Sequence, residues 1–206
     1  LGFTQDALDV YMIGNLFSNI KMGRWNWERA NDQYRPLFKE YQQGLKLYNA
    51  VDFDDLILLP IRLFTEHPDV LEKYRERFKY VMVDEFQDTS TQQYNFMRFL
   101  ADRNICVVGD DDQSIYSWRG ASYDNIRMFE RDFPDLLEIK LEQNYRSTGT
   151  ILAAANGVIA NNTNRKVKAL WSGNGSGKPI EICIPENETD EADFVADMIQ
   201  SIRMKE

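Results

Sequence analysis

Apolar positions in the first fifty residues recur with a helical period. Leu8, Tyr11, Met12, Asn15 and Leu16 follow one such spacing. Tyr34, Leu37, Phe38, Tyr41 and Leu45 repeat it, with Pro36 close enough to a helix start to be harmless. A third stripe runs from Phe53 to Phe64 with Leu56, Leu59 and Leu63 on one face, and His67-Pro68 breaks it. The pattern then changes. Tyr80-Val81-Met82-Val83 and Ile105-Cys106-Val107-Val108 are short continuous apolar runs, which read as strands buried on both faces of a parallel sheet. Between them Tyr94, Met97 and Leu100 keep a helical spacing over Thr91 to Ala101, so the order is strand, helix, strand. Leu137, Ile139 and Leu141 alternate as a further strand, as do Ile180, Ile182 and Ile184. Ser147 is placed to cap a helix through Ile151, Leu152, Ala155 and Ile159. Thr189 to Met204 predicts a closing helix with acids in its first turn, and Trp171 to Lys178 a Gly/Ser/Asn loop.

The composition is that of a globular chain: 206 residues, 43% hydrophobic and 28% charged, enough to bury a core without covalent staples. Cys106 and Cys183 both lie in apolar runs, which fits neither a disulfide framework nor a metal cluster and makes a reducing, cytoplasmic setting the default. No apolar stretch reaches the ~18 residues of a membrane span, so no membrane partner is expected. Net charge is 24 − 33 = −9, which excludes a broadly basic DNA-coating protein but not an enzyme with a local basic groove. Residues 61–140 hold 16 acids against 11 bases, gathered in a few short clusters.

Those clusters terminate the two apolar runs, Asp84-Glu85 after the first and Gly109-Asp110 after the second. Open α/β sheets bind ligands beyond the carboxyl ends of their strands. An Asp there can hold Mg²⁺ through water, and the neighbouring Glu, pointing elsewhere, can take a proton from a water. The plainer alternative for an isolated Asp-Glu pair is a helix cap or a solvated turn. The residues that follow weigh against it. Asp84-Glu85-Phe86-Gln87-Asp88-Thr89 resembles motif II, the Walker B element, of the UvrD/Rep/PcrA-type superfamily 1 DNA helicases. Val108 to Ala121 (VGDDDQSIYSWRGA) resembles their motif III, and Leu141 to Thr148 (LEQNYRST) their motif IV. Asp52-Phe53-Asp54-Asp55-Leu56 is similar to a segment that precedes motif II in the same family. The resemblance runs from about residue 50 to the end, in the family's order and spacing.

The resemblance implies an α/β fold: part of a P-loop NTPase (RecA-like) motor domain with a parallel sheet, plus an N-terminal helical subdomain. It implies that Asp84 holds Mg²⁺ and Glu85 activates the attacking water. Gln113 senses the γ-phosphate, Tyr145 stacks on adenine, and Arg146 reaches the γ-phosphate as an arginine finger does. Tyr116 and Trp118 stack on single-stranded DNA with support from Arg119. ATP and Mg²⁺ are the implied ligands, and single-stranded and duplex DNA the implied partners. Outside the motifs these residues have plainer readings. Tyr116 and Trp118 read as core aromatics, Arg146 as a surface ion-pair residue, and Asp111 and Asp112 as a solvated turn. Trp25 and Trp27 read as packing residues, and His67 as an exposed structural one.

The phosphate-cradling pattern G-x-x-x-x-G-K-[ST] is not in the chain. Around Gly177-Lys178 the required flanking positions are Ser172 and Pro179. Gly173 to Lys178 therefore reads as a flexible linker. With Leu1 in place of Met, the chain is expected to be the middle of a helicase. Residues 1–50 would belong to a helical insert, 51–136 to the back half of the first motor domain, and 137–206 to the start of the second. Alone it is expected to be inactive and to self-associate through an incomplete sheet. The competing reading is a non-catalytic module that binds single-stranded DNA or a repair partner; a helicase–nuclease ranks lower because no nuclease chemistry is present.

Overall fold

Asp9 opens the first helix, α1 (Val10–Lys21), by accepting from the Tyr11 and Met12 amides at 3.0 and 3.1 Å. The computed structural model describes residues 9–101, 104–163 and 165–204, apart from the Arg119 side chain, and Leu8 lies outside them. The face α1 buries is Ile13, Leu16 and Phe17, whereas Tyr11 is exposed. The expected stripe is thus rotated, because two overlapping apolar faces share one period and the partner chooses between them. That partner is α3 (Arg35–Leu47), with Pro36 in its first turn as expected. Phe17 meets Phe38 edge-on at 5.1 Å and Tyr41 at 5.4 Å. The short α2 (Trp27–Ala30) adds Trp27 against Phe38, and Trp25 and Trp27 carry Arg29 and Arg35 over their rings.

α4 (Asp55–Glu66) also buries a face other than the expected one: Phe64 is buried while Leu56, Leu59 and Leu63 are exposed. Phe64 stacks nearly parallel on Phe96 of α6 (Thr91–Leu100) at 6.1 Å. It also meets Tyr74 of α5 (Pro68–Arg77), the helix that follows the His67-Pro68 break. Ring geometry, not leucine spacing, sets the rotation of α4.

β1 (Val81–Val83) and β2 (Ile105–Val107) pair in parallel, Val81 with Ile105, Met82 with Cys106 and Val83 with Val107. α6 is their crossover, started by a reciprocal Ser90–Gln93 capping box. The two strands are covered on one face only among the described residues. Val81, Val83, Ile105 and Val107 pack on a cluster of Phe86, Tyr94, Met97 and Phe129, the last from α7 (Asp124–Asp132). Met82 and Cys106 are exposed on the other face. This corrects the expectation of burial on both faces, since helices pack against a single side. The Tyr94 hydroxyl donates to Asp132 at 2.8 Å and ties α6 to α7.

Residues 138–206 form a second compact unit, separate from residues 1–137. It holds α8 (Gly149–Ile159) and α9 (Glu188–Arg203), with Glu188, Asp190 and Glu191 in the first turn of α9 as expected. The strands expected at 137–141 and 180–184 are irregular, exposed segments: β structure needs a partner ladder, and none of the described residues supplies one to them. Thr148, not Ser147, occupies the N-cap position of α8, without a side-chain cap bond. No helix of the described residues is long and apolar enough to cross a membrane.

An ionic cluster joins α1 to the start of α4. The Lys21 ammonium, on a side chain 5% exposed, lies 2.7 Å from Asp52 and 2.6 Å from Asp55. Tyr41 donates to Asp52 at 2.6 Å, and Ser18 to Asp54 at 3.1 Å. Burial pushes the Asp52 carboxyl up, but hydrogen bonds from Lys21, Tyr41 and the Asp55 amide, with the Lys21 charge, bring it below its usual range. Burial, then the Asp52 charge, pushes Asp54 up against the Ser18 hydrogen bond and the Lys21 and Arg24 charges. The two carboxylates act with opposite signs. Asp52's stabilisation is present above the ordinary carboxylate range and is lost as pH falls through its lowered value. Asp54's is present below that range and is lost as pH rises through its raised one. Lys21→Ala, which strands two half-buried carboxylates, should cost about 3 kcal/mol of unfolding free energy in urea titrations at pH 7. Asp54→Asn, which keeps the acceptor for Ser18 and removes the like charge, should leave that free energy unchanged or raised.

Candidate functional site

The parallel pairing continues past both strands: the Val108 amide donates to the Val83 carbonyl at 2.8 Å and the Phe86 amide to the Val108 carbonyl at 2.9 Å. The segments 84–88 and 109–113 therefore leave the sheet side by side. Asp84 and Glu85 are both exposed at the tip of β1. Glu85 has a left-handed backbone, φ 49°, which is strained for a non-glycine residue. Asp84 accepts from the Glu85 amide at 2.9 Å.

Phe86–Asp88 then makes a 3-10 turn that buries Phe86 and Gln87, and Gln87 is 1% exposed. Gln87 Nε2 donates to Glu85 Oε2 at 2.8 Å, and Gln87 Oε1 accepts from the Asp110 amide at 3.1 Å. Asp110 opens a second 3-10 turn, Asp111–Gln113, accepting from the Asp112 amide at 3.0 Å and from Gln113 Nε2 at 2.9 Å. A continuous run of hydrogen bonds thus joins Glu85, Gln87, Asp110 and Gln113. Gly109 is required beside it, since a Cβ there would stand 2.7 Å from Gln87 Oε1. Asp111 and Asp112, expected in a solvated turn, are half-buried in this one. Asn125 of α7, fully buried, donates to the Thr89 carbonyl at 2.8 Å and fixes the far end of the first segment.

Tyr116 and Trp118 follow. The chain here is a 3-10 turn, Ser117–Arg119. The rings sit together, with centroids 6.4 Å apart and planes inclined by 55°. Trp118 is 73% exposed, which removes the core-aromatic reading for it; Tyr116 is half-buried. The Arg119 side chain lies outside the described part of the structure. Gly120, φ 94°, closes the turn against the Arg24 guanidinium, where a side chain would overlap it.

In the second unit Tyr145 and Arg146 are exposed on a turn. Asn144 Oδ1 accepts from the amides of Arg146 and Ser147 at 3.0 and 2.7 Å, and the Tyr145 hydroxyl donates to Gln143 at 2.9 Å. Residues 173–178 are not a free linker. Asn174 Nδ2 donates to the carbonyls of Tyr145 and Ser147 at 3.0 and 3.4 Å. Thr148 makes no side-chain cap bond; instead the first amides of α8, Gly149 and Thr150, donate to the carbonyls of Gly175 and Ser176 at 2.7 and 2.9 Å. A distant loop caps this helix and clamps the Tyr145-Arg146 turn.

Residues 10–134 match the UvrD/REP helicase N-terminal domain, and residues 139–206 match the UvrD-like helicase C-terminal domain. The chain belongs to the UvrD/REP helicase family. It is 48% identical over 89% of its length to the ATP-dependent DNA helicase PcrA of Staphylococcus aureus strain Mu50. It is 47% identical over the same share to that of Staphylococcus epidermidis strain RP62A. In each case the match covers 26% of the relative, so the chain spans about a quarter of the length of these proteins.

Within this UvrD/REP chain the structure brings Asp84, Glu85 and Gln113 into two adjoining loops and keeps Tyr116 and Trp118 as a ring pair on the same unit. Tyr145 and Arg146 share one turn of the other. Gln87, Asn144 and Asn174 were missed by sequence reasoning. Gln87 had a usable signal, a neutral amide inside an acidic motif, where burial demands two partners. Asn144 stands before Tyr-Arg-Ser in an arrangement suited to an Asx turn. Asn174 carries no such mark.

Proposed function

We propose that this chain is the central part of an ATP-dependent DNA helicase or translocase, coupling ATP hydrolysis to movement along single-stranded DNA and to duplex unwinding. Residues 1–50 are assigned to the helical insert, 51–136 to the back half of the first motor domain and 137–206 to the start of the second. The observation that carries the reading is the hydrogen-bonded run from Glu85 through Gln87 and Asp110 to Gln113, with the exposed Trp118 five residues further on.

Each residue then has a task. Asp84, an exposed carboxylate at the tip of β1, suits Mg²⁺, which takes few carboxylates and keeps its waters. Bound with the nucleotide, that ion supplies charge neutralisation at the phosphates. Glu85 Oε2 is engaged by Gln87, which leaves Oε1 to take the proton of the attacking water. Gln113 is assigned the γ-phosphate and Arg146 its charge, Tyr145 the adenine ring. Tyr116 and Trp118, with Arg119, are assigned to bases of single-stranded DNA, whose stacking tolerates any sequence.

In the full-length protein Glu85→Gln should abolish all but a residual hydrolysis and leave Mg-ATP binding intact, since shape is kept and the base is lost. Hydrolysis at the wild-type rate would reduce Asp84-Glu85 to a structural turn. Trp118→Ala should weaken single-strand affinity by about 1–3 kcal/mol and lower DNA-stimulated ATPase and unwinding. Melting temperature and Mg-ATP affinity without DNA should stay near wild type. A destabilised protein with unchanged DNA affinity per folded molecule would reject the stacking role. The isolated 206-residue chain, without a phosphate cradle, should show no DNA-stimulated ATPase in steady-state assays. Its exposed Met82 and Cys106 face should make it associate at micromolar concentration in light scattering, and a strict monomer would contradict that.

A further inference from the structure

We propose that Gln87 is the positioning residue for Glu85, and that its buried amide passes any displacement of the Asp110–Gln113 turn directly to the Glu85 carboxylate. This rests on the assignment of Glu85 as the base. The amide's orientation follows from its partners: a carboxylate oxygen can only accept, so Nε2 faces Glu85, and a backbone N–H can only donate, so Oε1 faces Asp110. Each end of the amide therefore serves a different loop. The residue is 1% exposed, so water is not there to replace either bond.

Three further contacts leave it no slack. At position 109 a Cβ would come within 2.7 Å of Oε1, so the amide keeps its place only beside a glycine. The Gln87 carbonyl accepts from the Ser114 hydroxyl at 3.4 Å. The Phe86 amide donates to the Val108 carbonyl at 2.9 Å, which ties the start of the Gln87 turn to the end of β2. A shift of the 110–113 turn, which also carries Gln113, moves the Asp110 amide, and with it Gln87 and the carboxylate that Gln87 holds. Gln87 thereby links the residue assigned to γ-phosphate sensing with the residue assigned to proton abstraction, without itself touching either the nucleotide or the water.

The test is DNA-stimulated ATPase of the full-length protein carrying Gln87→Met, which keeps length and loses both hydrogen bonds. The expected result is a fall in kcat of about 10- to 100-fold, as for other residues that orient a catalytic group, with KM for Mg-ATP within about twofold of wild type. Gln87→Glu, which sets a carboxylate against Glu85, should lose at least as much. A merely structural role is separated by the double variant. Glu85→Gln with Gln87→Met should hydrolyse no more slowly than Glu85→Gln alone, because the positioned group is already gone. Wild-type kcat in Gln87→Met overturns the proposal, as does a loss matched by an equal loss of folded protein, or additive effects in the double variant. If Glu85→Gln alone hydrolyses at the wild-type rate, the base assignment fails first. If Glu85→Gln is inactive and Gln87→Met is normal, only the positioning role fails.

Discussion

Parallel pairing of two three-residue strands is the constraint on which the first unit depends. Parallel strands cannot be joined by a tight turn, so α6 must carry the chain back to the starting edge. The strands then run the same way, and both of their carboxyl ends emerge together. That is why residues 25 apart in sequence, Glu85 and Asp110, hang from one buried amide. So short a ladder has little stability of its own. The aromatic cluster beneath it supplies the rest: Tyr94 is fully buried, and Phe86 meets Phe129 at 5.5 Å. Phe86 belongs to that cluster and to the site turn at once, so core packing and site geometry share one residue.

The helical part of the unit is held in two different ways. Apolar rings of α1, α2 and α3 interlock without directional demands, and such packing tolerates small adjustments. The Lys21 cluster does not. One ammonium is shared between Asp52 and Asp55, and Tyr41, whose hydroxyl burial and then the Asp52 bond push upward, stays protonated and donates. Desolvating these charges offsets much of their attraction, so the cluster contributes little net stability. What it supplies is a fixed junction between the end of α1 and the start of α4.

Motif order in the sequence located the acids, the ring pair and the Tyr145-Arg146 turn, because each of those residues is polar or aromatic where a fold alone would not ask for it. What stayed illegible depended on partners. Period alone could not choose between the Tyr11 and Ile13 faces of α1, or between the Leu59 and Phe64 faces of α4; ring contacts on neighbouring helices did. The alternation at 137–141 and 180–184 has the period of a strand but no ladder among the described residues. The loop at 173–178 looked like a linker because its capping of α8 is made by backbone carbonyls, which every residue type possesses. Its glycines have a specific use: Gly177, φ 76°, passes so close to Thr148 that a side chain would overlap it.

Glu85 shows how local strain and the hydrogen-bond run fit together. A left-handed backbone costs a non-glycine residue about 1–2 kcal/mol. Bonds to charged groups return about 1.5–3 kcal/mol each, and two here involve a carboxylate: Gln87 to Glu85, and the Glu85 amide to Asp84. The Asp88 amide adds a third contact, to the Glu85 carbonyl at 2.9 Å. The strained conformation is therefore over-determined by its surroundings. A Glu in ordinary extended backbone would continue β1. The left-handed turn lets the chain reverse within one residue, so that Phe86 enters the core while the Glu85 carboxylate stays at the surface. The strain is what separates the exposed Glu85 carboxylate from the buried Phe86 ring.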